Sequence, residues 1–335
     1  MTIGVGVIGV GNIGTAHARN LAGSVAGSTV SAVFDVSRER SAELAAELGC
    51  RSASSADELI GDDDVDAVVI ASPDALHPGQ ALACLAAGKP TLCEKPLAPT
   101  QAEARAVLDA EVALGRRLIT LGFMRRFDPG YLGLKDELLT GAIGAPLLVH
   151  NVHRVAHAPY GLTSTGTVTA AAIHEIDINR WLLDDEYERV QIISGRPGPD
   201  VPDGERDPML LIFQTVTGVL VEVEVFLTAR YGYEVVCQVV ASDGVADMGD
   251  RTYITRTTKR VRGQAIPEQW LGRFNEAYRL EAQAWVDSIR GLTGPVGASL
   301  WDGFAATVAA EAAITSLSSE RWETVDLPPK PDLYA

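Results

Sequence analysis

The sequence predicts an α/β protein of two domains, in which a doubly wound parallel sheet is followed by an α+β domain with a large open, mainly antiparallel sheet. At 335 residues the chain is longer than a single hydrophobic core usually grows. Residues 1–122 alternate short apolar runs with amphipathic stretches, whereas residues 123–335 carry long β-rich runs. We therefore place the domains at 1–122 and 123–335, and the last helices could pack back on the first domain.

The first domain is predicted from strands that are hydrophobic throughout and separated by stretches of helical periodicity. Such strands imply a parallel sheet that helices cover on both faces. The strand candidates are residues 3–9, 29–35, 66–71, 90–94 and 117–122. The helix candidates are residues 13–22, 38–48, 75–87 and 100–115.

The second domain is predicted from β-rich runs that follow each other with only turn residues between them, as in TVTGVL (215–220). This spacing is typical of antiparallel neighbours. The strand candidates are residues 189–195, 207–216, 218–229, 233–242 and 253–258, and the helix candidates are residues 129–140, 168–183, 270–291 and 300–318. The proline-rich tail, 327–335, is expected to lie extended on the surface or against a partner subunit.

Composition and charge exclude several classes of function. No apolar run approaches the roughly 20 residues that a membrane helix needs, and the apolar start has no basic region before it, so we expect a cytoplasmic protein. A formal charge of −16 opposes binding to nucleic acid or to an anionic membrane.

The cysteines and histidines give no metal signature. The four cysteines are far apart and form no CxxC pair, so we expect reduced thiols and no structural metal. His150 and His153 come closest to a ligand pair, but a strand would point residues three apart to opposite faces.

A glycine-rich turn follows the first strand candidate. Gly9, Gly11 and Gly14, with Asn12 and Ile13 between the last two, form GxGxxG at the start of a helix. In this context Gly9 suits the tight turn, Gly11 lets the backbone approach a pyrophosphate, and Gly14 lets the helix pack closely on the strand. The motif predicts a Rossmann dinucleotide-binding domain.

Asp35 ends the second strand candidate, 21 residues after Gly14. A carboxylate here can accept hydrogen bonds from both ribose hydroxyls and repels a 2′-phosphate, which favours NAD over NADP. Two readings compete with this one. Asp35 could merely cap the helix that begins near Ser37, and Arg38 could hold a 2′-phosphate if Asp35 turned away.

Polar residues follow the third and fourth strand candidates, and the ligands of open α/β sheets bind off these carboxyl ends. The residues expected to border the nicotinamide are Ser72, Pro73, His77, Glu94, Lys95 and Pro96. A cis Lys95–Pro96 bond, which is accessible only before proline, would aim the ammonium into the cleft. The alternative is a surface lysine in a turn.

Four segments occur in the order VGVIGVGNIGTAHA, CEKPLA, GFMRRFDPGY and IHEIDINRWLL. With them the chain resembles the Gfo/Idh/MocA family of oxidoreductases over nearly its whole length, and most of all its inositol 2-dehydrogenase branch. The resemblance implies a Rossmann domain followed by an α/β domain, an NAD(P)-dependent enzyme acting on CH–OH groups, and a homotetramer assembled through the open sheet.

The resemblance also implies roles for single residues. Lys95 matches a lysine that hydrogen-bonds the reacting hydroxyl, and His174 matches the general base that removes its proton. The positions implied for the substrate pocket are Met124, Arg125, His153, Ala170, Asp177 and Tyr233, with Tyr231 as the rival of Tyr233. A lysine and a histidine suffice for this chemistry without a metal, because the ammonium stabilises the developing alkoxide.

Ala170 departs from the family pattern, which has an aspartate four residues before the histidine. On a helix that carboxylate would lie beside the imidazole and orient it. Two explanations stay open. Ala170 is an engineered substitution that disables the enzyme, or it is natural, in which case Glu175, Asp177 or the substrate orients His174 or the activity has drifted.

Three functions follow in order. The first is the NAD-dependent oxidation of a cyclitol, myo-inositol or a close relative, to the 2-keto product. The second is a pyranose dehydrogenase or keto-sugar reductase, which the same lysine and histidine could serve. The third is a weakly catalytic NAD-binding sensor, suggested only by Ala170.

Overall fold

The computed structural model describes residues 1–158, 161–248 and 255–335. They form two compact units, neither of which is a single stretch of chain. The first unit comprises Met1–Phe127, Glu276–Thr307 and Leu327–Ala335. The second unit comprises Asp128–Asn275 and Val308–Asp326.

The first unit is built on a six-stranded sheet with the order β3-β2-β1-β4-β5-β6. Every neighbouring pair is parallel, which confirms the doubly wound prediction. The strands are β1 (Ile3–Ile8), β2 (Ser28–Phe34), β3 (Arg51–Ser52), β4 (Ala67–Ile70), β5 (Thr91–Glu94) and β6 (Ile119–Gly122). Every residue of strands β1, β4, β5 and β6 is buried. These strands are continuous apolar runs because helices cover both faces of the sheet.

Five helices connect these strands, and several begin and end where their sequences predict. The helices are α1 (Asn12–Gly23), α2 (Arg38–Leu48), α3 (Ala56–Gly61), α4 (His77–Ala87) and α5 (Gln101–Leu114). The side chains of Ser37, Ser55 and Thr100 cap α2, α3 and α5 by accepting a backbone N–H. Strand β3 and helix α3 were not predicted, because two exposed residues and a six-residue helix are too short to display a period.

The second unit contains a seven-stranded sheet with the order β12-β11-β7-β10-β9-β8-β15. Its pairs are antiparallel except for β7 with β10, so the expected mainly antiparallel sheet is confirmed. Its first strands are β7 (Pro146–Arg154), β8 (Tyr187–Ser194), β9 (Met209–Thr215), β10 (Leu220–Phe226), β11 (Glu234–Ala241) and β12 (Val245–Asp247). A separate hairpin, β13 (Thr255–Thr258) and β14 (Val261–Gln264), precedes β15 (Glu323–Thr324); residues 253 and 254 of the run predicted there lie outside the described residues.

Four of the five later helices lie close to their predicted positions, and the single turn Ser164–Gly166 was not predicted. They are α6 (Pro129–Thr140), the single turn α7 (Ser164–Gly166), α8 (Ile173–Leu183), α9 (Trp270–Ile289) and α10 (Leu300–Ser319). Between α7 and α8 the backbone forms a π-helix over Thr167–Ala172, a local widening that is frequent at functional sites. Every described helix is too short or too polar to span a bilayer.

The core of the first unit joins distant parts of the chain. Ala282, Trp285 and Val286 of α9 are buried in one hydrophobic cluster with residues of β1, β2, β4 and β5. The tail also belongs to this unit, since the Tyr334 hydroxyl donates to Glu111 Oε2 at 2.6 Å. The tail was expected to lie extended on the surface or against a partner subunit, and in the structure residues 327–335 are half-buried or exposed on the surface of their own unit, where Tyr334 holds the end.

Candidate active site

The three motif glycines have different surroundings. Gly9 has a φ of +86°, and a Cβ there would lie 2.5 Å from the Ala71 carbonyl oxygen. A Cβ on Gly14 would lie 1.8 Å from the Gly9 carbonyl oxygen. A Cβ on Gly11 would meet no described atom within 4 Å. The fold itself therefore requires Gly9 and Gly14, whereas Gly11 faces open space where a ligand could approach.

Helix α1 starts at this turn with its backbone donors uncovered. Among the described residues no side chain caps its N-terminus, and its first turn contains no acidic residue. Asn12 is exposed and Ile13 packs partly against the core of the unit. The first N–H groups and the positive end of the helix dipole suit a phosphate group. The turn therefore fits the pyrophosphate of a dinucleotide.

Asp35 follows β2 and is 8% exposed. Its Oδ2 accepts the Val10 N–H at 2.9 Å, and its Oδ1 accepts the Ser37 N–H at 2.8 Å and lies 3.0 Å from Arg40 Nη2. The carboxylate thus ties the glycine-rich turn to the start of α2. The arginine that pairs with it is Arg40 and not Arg38, the one expected from the sequence; both arginines are exposed.

The segment after β4 carries Ser72, Pro73 and His77. Pro73 is exposed and Ser72 is half-buried, with its hydroxyl donating to Gln80 at 2.7 Å. His77 is only 1% exposed, and its Nε2 and Nδ1 each lie 2.8 Å from a backbone carbonyl, of Ser72 and Pro96 respectively. The ring therefore bridges the segments that follow β4 and β5, and both of its nitrogens are engaged by the chain.

The segment after β5 carries Glu94, Lys95 and Pro96. The Lys95–Pro96 bond is cis. Lys95 is half-buried, whereas Glu94 and Pro96 are buried. One oxygen of Glu94 accepts the Lys95 N–H at 3.3 Å, and the other lies 2.8 Å from His17 Nε2. His17 was not a predicted site residue, although it lies three residues after Gly14 in the same quoted segment as the glycine motif.

Met124 and Arg125 lie in a 3₁₀ turn, Met124–Phe127, immediately after β6. Both are almost fully buried, at 2% and 1% exposure. The neighbouring Arg126 forms an ion pair with Asp302 at 3.1 Å. The carboxyl ends of β4, β5 and β6 therefore present the predicted residues of the first unit along one edge of its sheet.

His174 lies near the start of α8, a helix that is buried on nearly all sides. His174 is 8% exposed, and Glu175 and Asp177 are fully buried. Tyr187 donates to the Ile176 carbonyl at 3.2 Å, and burial raises the pKa of this phenol. Ala170 lies in the π-helical segment before α8 and is exposed.

A second histidine joins α8 to the sheet. His153 of β7 is 4% exposed, and its Nδ1 lies 3.0 Å from Glu175 Oε2. The ring of Tyr233 meets the ring of His153 edge-on at a centroid distance of 5.7 Å. The structure thus brings His153, Glu175 and Tyr233 together beside the helix that carries His174.

Tyr231, the rival of Tyr233, lies elsewhere. It is 47% exposed and its hydroxyl bonds to Glu234 and to Arg154. Burial, followed by the Glu234 hydrogen bond, raises the pKa of Tyr231. Of the two tyrosines, only Tyr233 shares a surface with His153.

The histidines of β7 were the pair that came closest to a metal-ligand pattern in the sequence. His150 Nδ1 lies 2.6 Å from Glu222, while His153 bonds to Glu175, so the two rings lie on opposite faces of the strand as alternation predicts. No group of three metal-ligating side chains occurs within 1–158, 161–248 and 255–335.

Two family models together match most of the chain. A model described as "Oxidoreductase family, NAD-binding Rossmann fold" matches residues 3–123, and one described as "Oxidoreductase family, C-terminal alpha/beta domain" matches residues 135–327. The chain belongs to the Gfo/Idh/MocA family. As a Gfo/Idh/MocA protein it is an oxidoreductase that acts on CH–OH groups.

Curated relatives match this whole chain and nearly all of their own length. Inositol 2-dehydrogenase 1 of Saccharopolyspora erythraea is 45% identical over 337 residues, with 100% of this chain and 99% of the relative covered. An inositol 2-dehydrogenase/D-chiro-inositol 3-dehydrogenase of Shouchella clausii is 38% identical over 336 residues, covering 100% of this chain and 97% of the relative. The crystal structure of myo-inositol dehydrogenase from Lactobacillus casei with NAD(H) and myo-inositol has a TM-score of 0.96 at 34% identity, with 100% of both chains covered.

Proposed function

We propose that this chain catalyses the NAD-dependent oxidation of a cyclitol, with myo-inositol as the first candidate, to the corresponding 2-keto-inositol. The observation that carries the proposal is the likeness, over the full length of both chains, to a myo-inositol dehydrogenase that was solved with NAD(H) and myo-inositol. The Shouchella clausii relative extends the candidate substrates to D-chiro-inositol.

The first unit would hold the dinucleotide. Open space at Gly11 and the uncapped start of α1 fit a pyrophosphate, with Gly9, Asn12, Ile13 and Gly14 shaping the turn. Asp35 would accept the ribose hydroxyls and disfavour a 2′-phosphate, which supports NAD as the preferred cofactor and leaves NADP the poorer one. Residues along the carboxyl edge would border the nicotinamide; they are Ser72, Pro73, His77, Glu94, Lys95 and Pro96.

The proposed chemistry needs one cation and one base. Bound NAD supplies the acceptor for the hydride that leaves the alcohol carbon. Lys95 would donate a hydrogen bond to the reacting hydroxyl and stabilise the alkoxide as it develops. His174 would accept the hydroxyl proton, because a histidine titrates near neutral pH. Both residues act on the same hydroxyl in this scheme.

From the family resemblance, the residues proposed to contact the substrate ring are Met124 and Arg125 of the first unit and His153, Asp177 and Tyr233 of the second. Tyr233 is buried and packs against His153, whereas Tyr231 is 47% exposed; this difference supports Tyr233 over Tyr231 as the pocket tyrosine. Polar groups fixed in this way suit a substrate with several hydroxyls, since each hydroxyl needs a partner when it leaves water.

Ala170 stands where the family has the aspartate that orients the catalytic histidine. Glu175, one candidate for orienting it, has an oxygen engaged by His153. Because Ala170 is exposed, an aspartate there would add a carboxylate without disturbing a packed core. We therefore expect Ala170→Asp to raise turnover if the chain is an enzyme and to leave a sensor inactive.

The test is NADH or NADPH formation, followed by absorbance, with NAD or NADP and a panel of myo-inositol, D-chiro-inositol and aldopyranoses. The chain is assayed beside Ala170→Asp, His174→Ala and Leu182→Ala. His174→Ala should lose roughly 10²–10⁴-fold in kcat. Leu182→Ala is the matched control, because it truncates another buried residue of α8 and should lower stability but not turnover.

The outcomes of this assay separate the three functions. Turnover of an inositol that rises with Ala170→Asp supports the cyclitol dehydrogenase. Turnover of aldopyranoses alone moves the assignment to a sugar dehydrogenase. Tight NAD binding with no turnover of any substrate by either protein supports the sensor, and a loss below about tenfold in His174→Ala removes the general-base role.

We also propose that the chain assembles as a homotetramer. The resemblance to the family supports this assembly. Sedimentation velocity at micromolar concentration should give a species of four chains, and a monomer under those conditions would refute it.

A further inference from the structure

Two buried histidines hold the residues on either side of Lys95. His17 of α1 lies 2.8 Å from the Glu94 carboxylate, and His77 of α4 lies 2.8 Å from the Pro96 carbonyl oxygen. All of these groups belong to the first unit. The backbone of Lys95 is therefore tied on one side to α1 and on the other side to α4.

The contact between His17 and Glu94 is shielded from solvent. His17 is fully buried and Glu94 is 5% exposed. A carboxylate only accepts hydrogen bonds, so His17 Nε2 carries the N–H and donates to Glu94. The second oxygen of Glu94 accepts the Lys95 N–H at 3.3 Å. The carboxylate therefore connects the imidazole of α1 directly to the backbone of Lys95.

The surroundings of this pair restrict its geometry. The ring of Tyr278 meets the His17 ring edge-on, at 5.5 Å between centroids and an interplanar angle of 85°. Within the described part of the chain, His17 Nδ1 has no hydrogen-bond partner, so Glu94 is the polar group that orients this ring. Gly122 on the neighbouring strand leaves room for the carboxylate, since a Cβ there would lie 3.1 Å from Glu94 Oε2.

His77 completes the arrangement from the other side. Its ring lies between the Ser72 and Pro96 carbonyl oxygens, at 2.8 Å from each. Both oxygens are acceptors, so the ring nitrogen that carries the N–H donates to its carbonyl, and the buried ring packs between the segment after β5 and the segment after β4. Because a buried polar group keeps its position only while its partners are present, these contacts define one direction in which Lys95 leaves the sheet.

We propose that His17 and His77 are positioning residues for Lys95. They fix the position of its ammonium relative to α1, the helix whose start would bind the pyrophosphate. They act through Glu94 and Pro96 and do not touch the substrate. The inference rests on the proposed role of Lys95. A displacement of about 1 Å at a reacting group can cost on the order of 10²-fold in rate, which is the effect at stake.

The first experiment compares His17→Leu with His17→Gln. The parent protein for both is the unchanged chain or its Ala170→Asp variant, whichever has the higher kcat. Leucine removes the donor to Glu94, whereas glutamine places an N–H at a similar distance. We expect His17→Leu to lower kcat by about 10- to 100-fold and His17→Gln to stay within about fivefold of the parent. The Kd for NAD, measured by calorimetry, should change by less than about threefold in both.

The matched control is Leu21→Ala, one turn after His17 on the same buried face of α1. It removes core packing and should lower the melting temperature while kcat, measured below that temperature, stays within about twofold. His77→Ala tests the other side of Lys95 and should reproduce the kcat loss of His17→Leu.

A double-mutant cycle distinguishes positioning from a general structural effect. In a Lys95→Met background, followed by single-turnover kinetics, His17→Leu should cost less than about twofold, because the group it positions is gone. The same 10- to 100-fold loss in that background would overturn the proposal.

Hydrogen exchange gives a readout that does not depend on turnover. Peptides covering residues 91–98 should exchange at least about tenfold faster in His17→Leu than in the parent or in His17→Gln. If no substrate on the panel is oxidised, the proposed function fails, and unchanged exchange in this segment would then separately overturn the positioning role. Faster exchange together with an unchanged kcat in an active enzyme would also overturn it.

Discussion

Substitution of Gly11 and of Gly14 by alanine separates the two tasks of the glycine motif. The Cβ of Gly14→Ala would lie 1.8 Å from the Gly9 carbonyl oxygen, so this oxygen must retreat by about 1.6 Å to reach an ordinary contact. The backbone fixes the positions of both the new Cβ and the Gly9 oxygen, so no side-chain rotamer change can relieve the overlap. At the upper end of overpacking costs, about 3 kcal/mol, the melting temperature should fall by on the order of 10 °C.

Gly11→Ala should behave in the opposite way. Gly11 has a φ of −69°, which alanine adopts without strain, and the new Cβ would meet no described atom within 4 Å. Stability should stay the same or rise by about 0.4–1 kcal/mol, because alanine restricts the unfolded chain. If the pyrophosphate approaches the backbone here, the methyl group should raise the Kd for NAD at least about tenfold.

Two measurements decide this pair of predictions. Thermal unfolding without cofactor gives the stability of each variant, and calorimetric titration with NAD at a temperature where both are folded gives the affinity. Gly11→Ala that binds NAD within about twofold of the parent would refute the assignment of the pyrophosphate to this turn. Gly14→Ala that melts with the parent would refute the packing argument.

Three further predictions concern the cofactor, the pH dependence and the thiols. Asp35→Ser should lower the ratio of kcat/KM for NAD over NADP at least about tenfold, since it removes the charge that repels a 2′-phosphate and releases Arg40; an unchanged ratio would contradict this. Hydrogen bonds from Ser164 lower the pKa of Glu205 from 4.5, so its contribution to stability is present above 4.5 and lost as pH falls through the lowered value. Glu205→Gln should therefore melt earlier than the parent at about pH 7, and the gap should narrow as the pH falls through the lowered pKa; a gap that stays constant in acid would count against the assignment. In thiol titration with a disulfide reagent, Cys50 should react in the native protein and the other three cysteines, which are buried, only after denaturation.

Most of the fold could be predicted because its strands and helices carry strong periodicity. A parallel sheet is predicted by the alternation of apolar runs with amphipathic stretches. The apolar runs form β1, β4, β5 and β6, and the amphipathic stretches form α1, α2, α4 and α5. The polar run after α2 gave no signal for β3 or α3, since neither is long enough to repeat a pattern. The π-helix before α8 could not be predicted, because its alanine-rich sequence suits an ordinary α-helix equally well.

The candidate site was predictable where chemistry follows from local spacing. Gly9, Gly11 and Gly14 stand at the positions that the motif implies, and β7 places His150 and His153 on opposite faces. Partners far apart in sequence were missed. Nothing local links His17 to Glu94 across 77 residues.

A similar limit applies to side chains that compete for one role. The family resemblance implied Tyr233 for the pocket, with Tyr231 as its rival, and the sequence suggested only Arg38 as an arginine near Asp35. The contacts depend on how the strand or helix continues beyond the motif: Tyr233 packs against His153, and Arg40, although exposed, pairs with Asp35.

The core of the first unit has a consequence for biosynthesis. Trp285 and its neighbours on α9 fill the same hydrophobic cluster as Val5, Val7 and Val69. They are translated about 160 residues after Phe127, which at roughly 5–20 residues per second takes about 8–30 s. During that interval the nascent sheet exposes the apolar surface that α9 later covers, so the emerging chain should be a client for chaperones, and residues 1–127 made alone should aggregate rather than bind cofactor.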